Sequence, residues 1–224
     1  VLERNEEVVN LVVGRERRLL ETYLAAGRVA TRMGENDKAD EAFAAALEIA
    51  EERLEKAPEN PDTLRDLSAA RSLKGVCFVE SGRGAEGTAL VEDAVEIARY
   101  SSSLDPGSAR ARENLVRRQA DLAEVYGKLG RHGEAAAPGR AALDAAERLL
   151  ELSAVAAAET AAWDSFRRVL ATAQAAEEAG ARGAAVELYR GLADFARRAE
   201  QELAGEEGWG KAVEAARDGL RRMS

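Results

Sequence analysis

Gly34, Gly82, Gly130 and Gly180 stand 48, 48 and 50 residues apart, and the residues around each one recur. Aligned on these glycines, the chain reads MGENDKADEAFAAALEIA, SGRGAEGTALVEDAVEIA, LGRHGEAAAPGRAALDAA and AGARGAAVELYRGLADFA. A period in the range of roughly 20–50 residues marks units that cannot bury an apolar face alone and so stack on their neighbours. The chain is thereby constrained to an array, not to a closed globule around one catalytic pocket.

Each unit reads as two helices joined by a glycine turn. In the first, the pattern Leu19, Tyr23, Ala26, Gly27 and Ala30 stops at Gly34, where Glu35, Asn36 and Asp37 supply turn and N-cap chemistry. The second helix then carries Ala39, Ala42, Phe43, Ala46, Leu47 and Ala50, whose spacings of 3, 1, 3, 1 and 3 place them on one face of a 3.6-residue period. Pro58, Pro61 and Asp105-Pro106-Gly107 break the chain between units, and Pro58 and Pro106 are themselves 48 apart. One domain over 1–224 follows, with units near 10–57, 58–105, 106–153 and 154–203 and an amphipathic capping helix at 208–223 anchored by Trp209. The Glu151–Glu159 junction lacks proline and reads as a bend or a continuous helix; beyond it, Trp163 to Gly180 forms one helix and Gly183 to about Leu203 another. With the period extended backwards, Val1 to Val9 fall opposite Ile49 to Ala57, as the tail of a second helix in a chain excised from a longer protein. The same residues also suit the first turns of one long helix.

Hydrophobic residues make up 46% of the chain but aromatics only 4%, so small side chains must do the packing and an all-α fold follows. No apolar run approaches the roughly 20 residues of a membrane span. The 32 basic and 41 acidic residues, net −9, are interleaved and form no basic stripe, which disfavours nucleic acid as a partner. The single Cys77 excludes an internal disulfide and fits a reducing compartment or indifference to redox state; a cytoplasmic location is expected. Catalysis finds little to work with. His132 is the only histidine, exposed by position in the turn LGRHGE, so neither a triad nor a histidine metal site can be assembled, and no cofactor is implied. Glu51–Glu52 and Glu206–Glu207 diverge by about 100° on a helix. Gly82-Arg83-Gly84 follows no strand and is not a phosphate loop. The chain reads as a non-enzyme.

These columns resemble the tetratricopeptide repeat (TPR). Gly27 and Gly75, continued as Ala123 and Ala173, match the small residue of the motif's first helix; Phe78 and Tyr126 match its aromatic, with Ala30 and Ala176 in the outer units. Ala39, Ala135 and Ala185, with Gly87 in the second unit, match the first small residue of the second helix; Phe43 matches the aromatic after it, and Ala46, Ala94 and Ala142 the second alanine. The stretch Arg65-Asp66-Leu67-Ser68 after the proline turn is similar to a long-helix variety common in bacterial proteins. The resemblance implies a right-handed α-solenoid of antiparallel helix pairs that binds a protein or peptide, as a scaffold or regulatory region; some such arrays follow serine/threonine kinase domains. Three departures stand out. The period exceeds the family's 34 or so, which lengthens each helix by about two turns. Pro138 and Gly139 should kink or delay the second helix of unit three. Ala176 replaces the first-helix aromatic in unit four.

Carried over by column, the resemblance puts Arg28, Ser72, Val76, Val79, Arg117, Glu124, Arg167 and Gln174 in a concave partner-binding groove, apolar at Ser72, Val76 and Val79. Arg117 and Arg167 could grip a carboxylate or phosphate with forked donors, or simply pair with surface acids. The lysine and asparagine set of the family's carboxylate clamp is missing. A ligand- or peptide-sensing role and homo-oligomerisation stay open beside scaffolding.

Overall fold

The computed structural model describes residues 2–153 and 156–223, with side chains from residue 14 onward. Among these, ten helices and no strand are found: α1 (Leu2–Arg32), α2 (Asn36–Lys56), α3 (Pro61–Glu80), α4 (Gly84–Leu104), α5 (Ala109–Lys128), α6 (His132–Leu152), α7 (Ala156–Glu178), α8 (Arg182–Arg198), α9 (Glu200–Leu203) and α10 (Trp209–Met223). Each helix from α1 to α8 packs on the next in sequence, α10 packs on α8 and α7, and the first helices α1, α3, α5 and α7 also pack on one another in order. The result is a TPR-like α-solenoid of antiparallel helix pairs. The middle helices α2 to α6 are 20 or 21 residues long, as the long period requires.

The four periodic glycines close the hairpins. They adopt left-handed φ of 74°, 85°, 70° and 72°, a conformation that costs a side-chain-bearing residue about 1–2 kcal/mol. Around each glycine the same pair of hydrogen bonds forms. Gly34 N–H donates to the Thr31 carbonyl and Glu35 N–H to that of Ala30; Gly82 and Arg83 donate to Val79 and Phe78, Gly130 and Arg131 to Gly127 and Tyr126, and Gly180 and Ala181 to Glu177 and Ala176. This is the Schellman arrangement, which satisfies carbonyls that the helix end leaves open. The residue after each glycine thus spends its N–H on the preceding helix and becomes the N-cap of the next. None of Glu35, Arg83, Arg131 or Ala181 caps with its side chain, so the cap chemistry read at Glu35–Asp37 does not operate; Glu35 instead accepts from Lys38 at 3.0 Å. Side-chain caps appear between units, where Asn60 accepts from Asp62 N–H before Pro61 at the first turn of α3, and Ser108 accepts from Ala111 N–H before α5.

Within the hairpins, close approach does the packing. A Cβ on Gly75 would lie 2.6 Å from the Gly87 carbonyl oxygen, so α3 and α4 meet backbone to backbone at the two columns. On Gly27 it would lie 2.5 Å from the Phe43 ring, which confirms the small-residue seat for that aromatic. In unit four, Tyr189 occupies the Phe43 column but faces forward, against Gly219 of α10. Trp163, Phe166, Phe195 and Trp209 pack with ring centroids 5.0–6.5 Å apart. Trp209, 2% exposed, anchors α10 over α7 and α8.

Several expectations need correction. The Glu151–Glu159 segment is not one continuous helix: α6 ends at Leu152 and α7 starts at Ala156, with Ser153 extended between them. Ala154 and Val155 lie outside the described residues. The helix from Gly183 does not reach Leu203 unbroken, since α8 stops at Arg198 and a single turn, α9, follows. Despite Pro138, α6 starts at His132, in register with the other second helices. Gly139 admits Leu188 at the close distance where Phe43 stands in unit one. Of the two readings for the start of the chain, α1 is one helix of 31 residues.

Candidate functional site

Of the concavities that open against the first helices, one of about 510 Å³ lies between α1 and α3 over Val29, Leu73 and Val76, and two others hold most of the charged lining. One, of about 360 Å³, lies between α1, α3 and α5 and is lined by Arg17, Arg28, Arg65, Arg110, Arg117 and Arg118 against the carboxylates of Glu21, Asp66 and Glu113, with Leu20, Leu24, Ala69, Leu73 and Asn114 between. The other, of about 460 Å³, lies between α5 and α7, with Glu124, Lys128, Asp164, Arg167 and Arg168 around a floor of Gly127, Ala171, Thr172 and Ala175.

The eight residues assigned to the groove do not form one surface. Arg28 and Arg117 are exposed in the 360 Å³ concavity, whereas Glu124 and Arg167 line that of 460 Å³, so Arg117 and Arg167 do not converge on one ligand group. Ser72 is 0% exposed and Val79 is buried, so these two support the groove from beneath, whereas Val76 is half-buried and, with Ala25, Val29 and Leu73, lines the concavity of about 510 Å³ between α1 and α3. Gln174 is exposed and lines none of the three. Arg117 is held by Glu113, four residues earlier, at 2.8 Å; Arg167 pairs with Asp164 at 2.9 Å and lies over the Trp163 ring.

Beneath these arginines runs a buried polar ladder that crosses units. On α3, Asp66 pairs with Arg53 of α2 at 3.3 Å, and Ser68 accepts from the Asn114 amide at 2.8 Å. On α5, Asp121 accepts from the Ser72 hydroxyl at 2.5 Å, lies 3.3 Å from Arg118 and takes Arg168 of α7 at 2.6 Å. Arg168 also reaches Glu124 at 2.7 Å, and Lys128 ties Glu124 to Glu80 on α3. Burial by itself would raise the Asp121 pKa, yet the Arg118 and Arg168 guanidiniums and the Ser72 hydroxyl reverse this and hold it below the usual carboxylate range. Glu124 follows the same balance, through Arg168 and Lys128. Arg118 ends on the other side: burial pushes its pKa down, and Asp121 offsets this only in part because Arg168, Arg117 and Arg28 add like charge.

Arg118 and Arg168 were absent from the sequence assignment although each directly follows an assigned arginine. Their legible signal was the dipeptide Arg-Arg at 117–118 and again at 167–168, 50 apart: consecutive helical residues point about 100° apart, so the two arginines of a pair face different surroundings. The Arg65-Asp66-Leu67-Ser68 stretch did mark the ladder, since Asp66 and Ser68 are two of its rungs. His132, read as exposed, is half-buried at the start of α6 with a buried Nδ1 that lacks a hydrogen-bond partner. Among the described residues no three of His, Cys, Asp and Glu are grouped to hold a metal ion, and no helix is long and apolar enough to cross a membrane.

No family model matches the chain, and no curated protein matches it. Solved structures are similar in helical arrangement. BtubC (BKLC) from P. vanneervenii aligns at 18% identity over 97% of this chain and 85% of its own, with a TM-score of 0.48. A putative kinesin light chain from Podosopora anserina with nearly identical TPR-like repeats aligns at 14% over 92% and 96%, with a TM-score of 0.42. The DHF46 filament aligns at 20% over 82% and 98%, with a TM-score of 0.39.

Proposed function

We propose that this chain is a non-catalytic protein-interaction module that docks a segment of its partner along the face of α1, α3, α5 and α7. The observation that carries the reading is the pair of open concavities of 360 and 460 Å³ set one after the other on that face, each walled by successive first helices. Both lie over the polar ladder, which holds the walls in place and so lowers the ordering cost of binding. Affinity on such a surface comes from a few anchor side chains in the concavities, and orientation from the charges around them. The buried Cys77, whose thiol pKa is raised by burial, has no part in this and suits a reducing, cytoplasmic setting.

A random dodecapeptide library displayed against the immobilised chain tests the reading. Peptides enriched on it should lose at least tenfold in affinity when Arg117 and Arg167 are both changed to Glu, with helicity by circular dichroism unchanged. Enrichment of nothing, or of peptides indifferent to that double variant, removes the groove.

A further inference from the structure

The partner segment that suits the α1–α3–α5 concavity is defined by its charge. We propose that this concavity receives an acidic stretch of peptide, with one carboxylate seated among Arg28, Arg117 and Arg118; this rests on the groove reading above and narrows it.

Four observations lead there. In a chain of net charge −9, the lining of this concavity carries six arginines against three carboxylates, so the field inside opposes that of the molecule as a whole. Arg28 is exposed on α1 and forms no ion pair among the described residues, and Arg117 faces it from α5 with only Glu113 on its own helix as partner. Arg118 is 7% exposed, lines the same space, and has a buried Nε with no hydrogen-bond partner. Its single carboxylate neighbour, Asp121, is shared with Arg168, while Arg28, Arg117 and Arg168 all repel it. A buried guanidinium among like charges is stabilised by an anion brought from outside, and planar forked donors favour a carboxylate in their plane.

The remaining walls fit a peptide better than a free ion or a cofactor. Ala69 and Leu73 of α3 present a half-buried apolar strip beside the arginines, where the chain carbons next to an acidic side chain can lie. A volume of about 360 Å³ is at the lower end of ligand sites, which span about 300–1,000 Å³, and suits one or two anchor side chains of a longer segment.

Fluorescence anisotropy with labelled decapeptides tests this on the 224-residue chain. A peptide alternating Glu and Ala is compared with its Gln-for-Glu counterpart and with one carrying phosphoserine at the Glu positions, at low and at physiological salt. The proposal expects the Glu peptide to bind at least tenfold more tightly than the Gln peptide, to weaken with salt, and to lose tenfold or more in Arg28→Glu/Arg117→Glu. Arg148→Glu/Arg190→Glu, which makes the same charge change on exposed positions of α6 and α8, should stay within twofold. Equal binding of the Glu and Gln peptides, binding of the phosphoserine peptide alone, or equal loss in both double variants overturns it. If the random library instead yields peptides that need Arg117 and Arg167 but carry no acidic residues, the groove stands and only the acidic partner falls.

Discussion

At single positions the repeat is enforced by backbone conformation. Gly130 must take φ of 70°, and a Cβ there meets no atom within 4 Å, so Gly130→Ala isolates the conformational cost: a loss of about 1–2 kcal/mol in urea unfolding. Gly183 also has open space around it but lies at ordinary φ in the first turn of α8, so Gly183→Ala should gain about 0.5–1 kcal/mol through reduced freedom of the unfolded chain. Opposite signs from one substitution type test the turn assignment; a gain at Gly130 would refute it. Around the same turns, the guanidinium of Arg83 sits 3.5 Å from the Phe78 ring centroid and that of Arg131 sits 4.6 Å from that of Tyr126. Each pair joins the residue after the glycine to the residue four before it, so in units two and three an arginine over a ring takes the place of the apolar contact usual in this motif.

For whole elements, the clearest case is how α10 is held. Trp209 fixes its start, while at its end Arg222 pairs with Glu177 of α7 at 2.7 Å and the Arg182 guanidinium donates to the Met223 carbonyl. Tyr189 donates to the same Glu177 at 2.6 Å. The bonds from Arg222 and Tyr189 lower the Glu177 pKa from an ordinary 4.5 to about 2. A carboxylate lowered in the folded state contributes stability in full above its unfolded pKa and loses it as pH falls through the folded one. The stability difference between the native chain and Arg222→Ala should therefore be constant above about pH 4.5 and vanish towards pH 2, as read by urea unfolding and by amide exchange in α10. A difference that persists at pH 2 would mean that Arg222 acts by packing alone.

Across the molecule, contacts are confined to neighbouring elements, so stability is close to a sum of units and the interfaces between them. Asp121 is the exception worth testing, because it ties α3, α5 and α7 together through Ser72, Arg118 and Arg168. Asp121→Ala leaves the buried Arg118 guanidinium without its carboxylate and Arg168 with Glu124 alone, and should cost about 3–5 kcal/mol, with loss of unfolding cooperativity between the second and fourth units. Arg167→Ala, which removes an exposed pair three residues apart, should change stability by no more than about 0.5 kcal/mol. Similar costs for both would show that the ladder does not couple the units.

The period, the hairpin glycines, the proline turns and the small-residue columns were all legible in the sequence, because each depends on a local requirement: φ above zero at a glycine, a missing N–H at a proline, or space for one ring at Gly27. The inward arginines were not. Whether Arg117 or Arg118 faces solvent depends on the phase of α5 against α3 and α7, and a helix alternates its faces every few residues with little sequence signal when both candidates are the same amino acid. For the same reason Ser72 read as a groove contact and turned out to be a buried donor to Asp121. Local backbone chemistry determined the array; the relative rotation of stacked helices, which only tertiary packing sets, decided which charges are left for a partner.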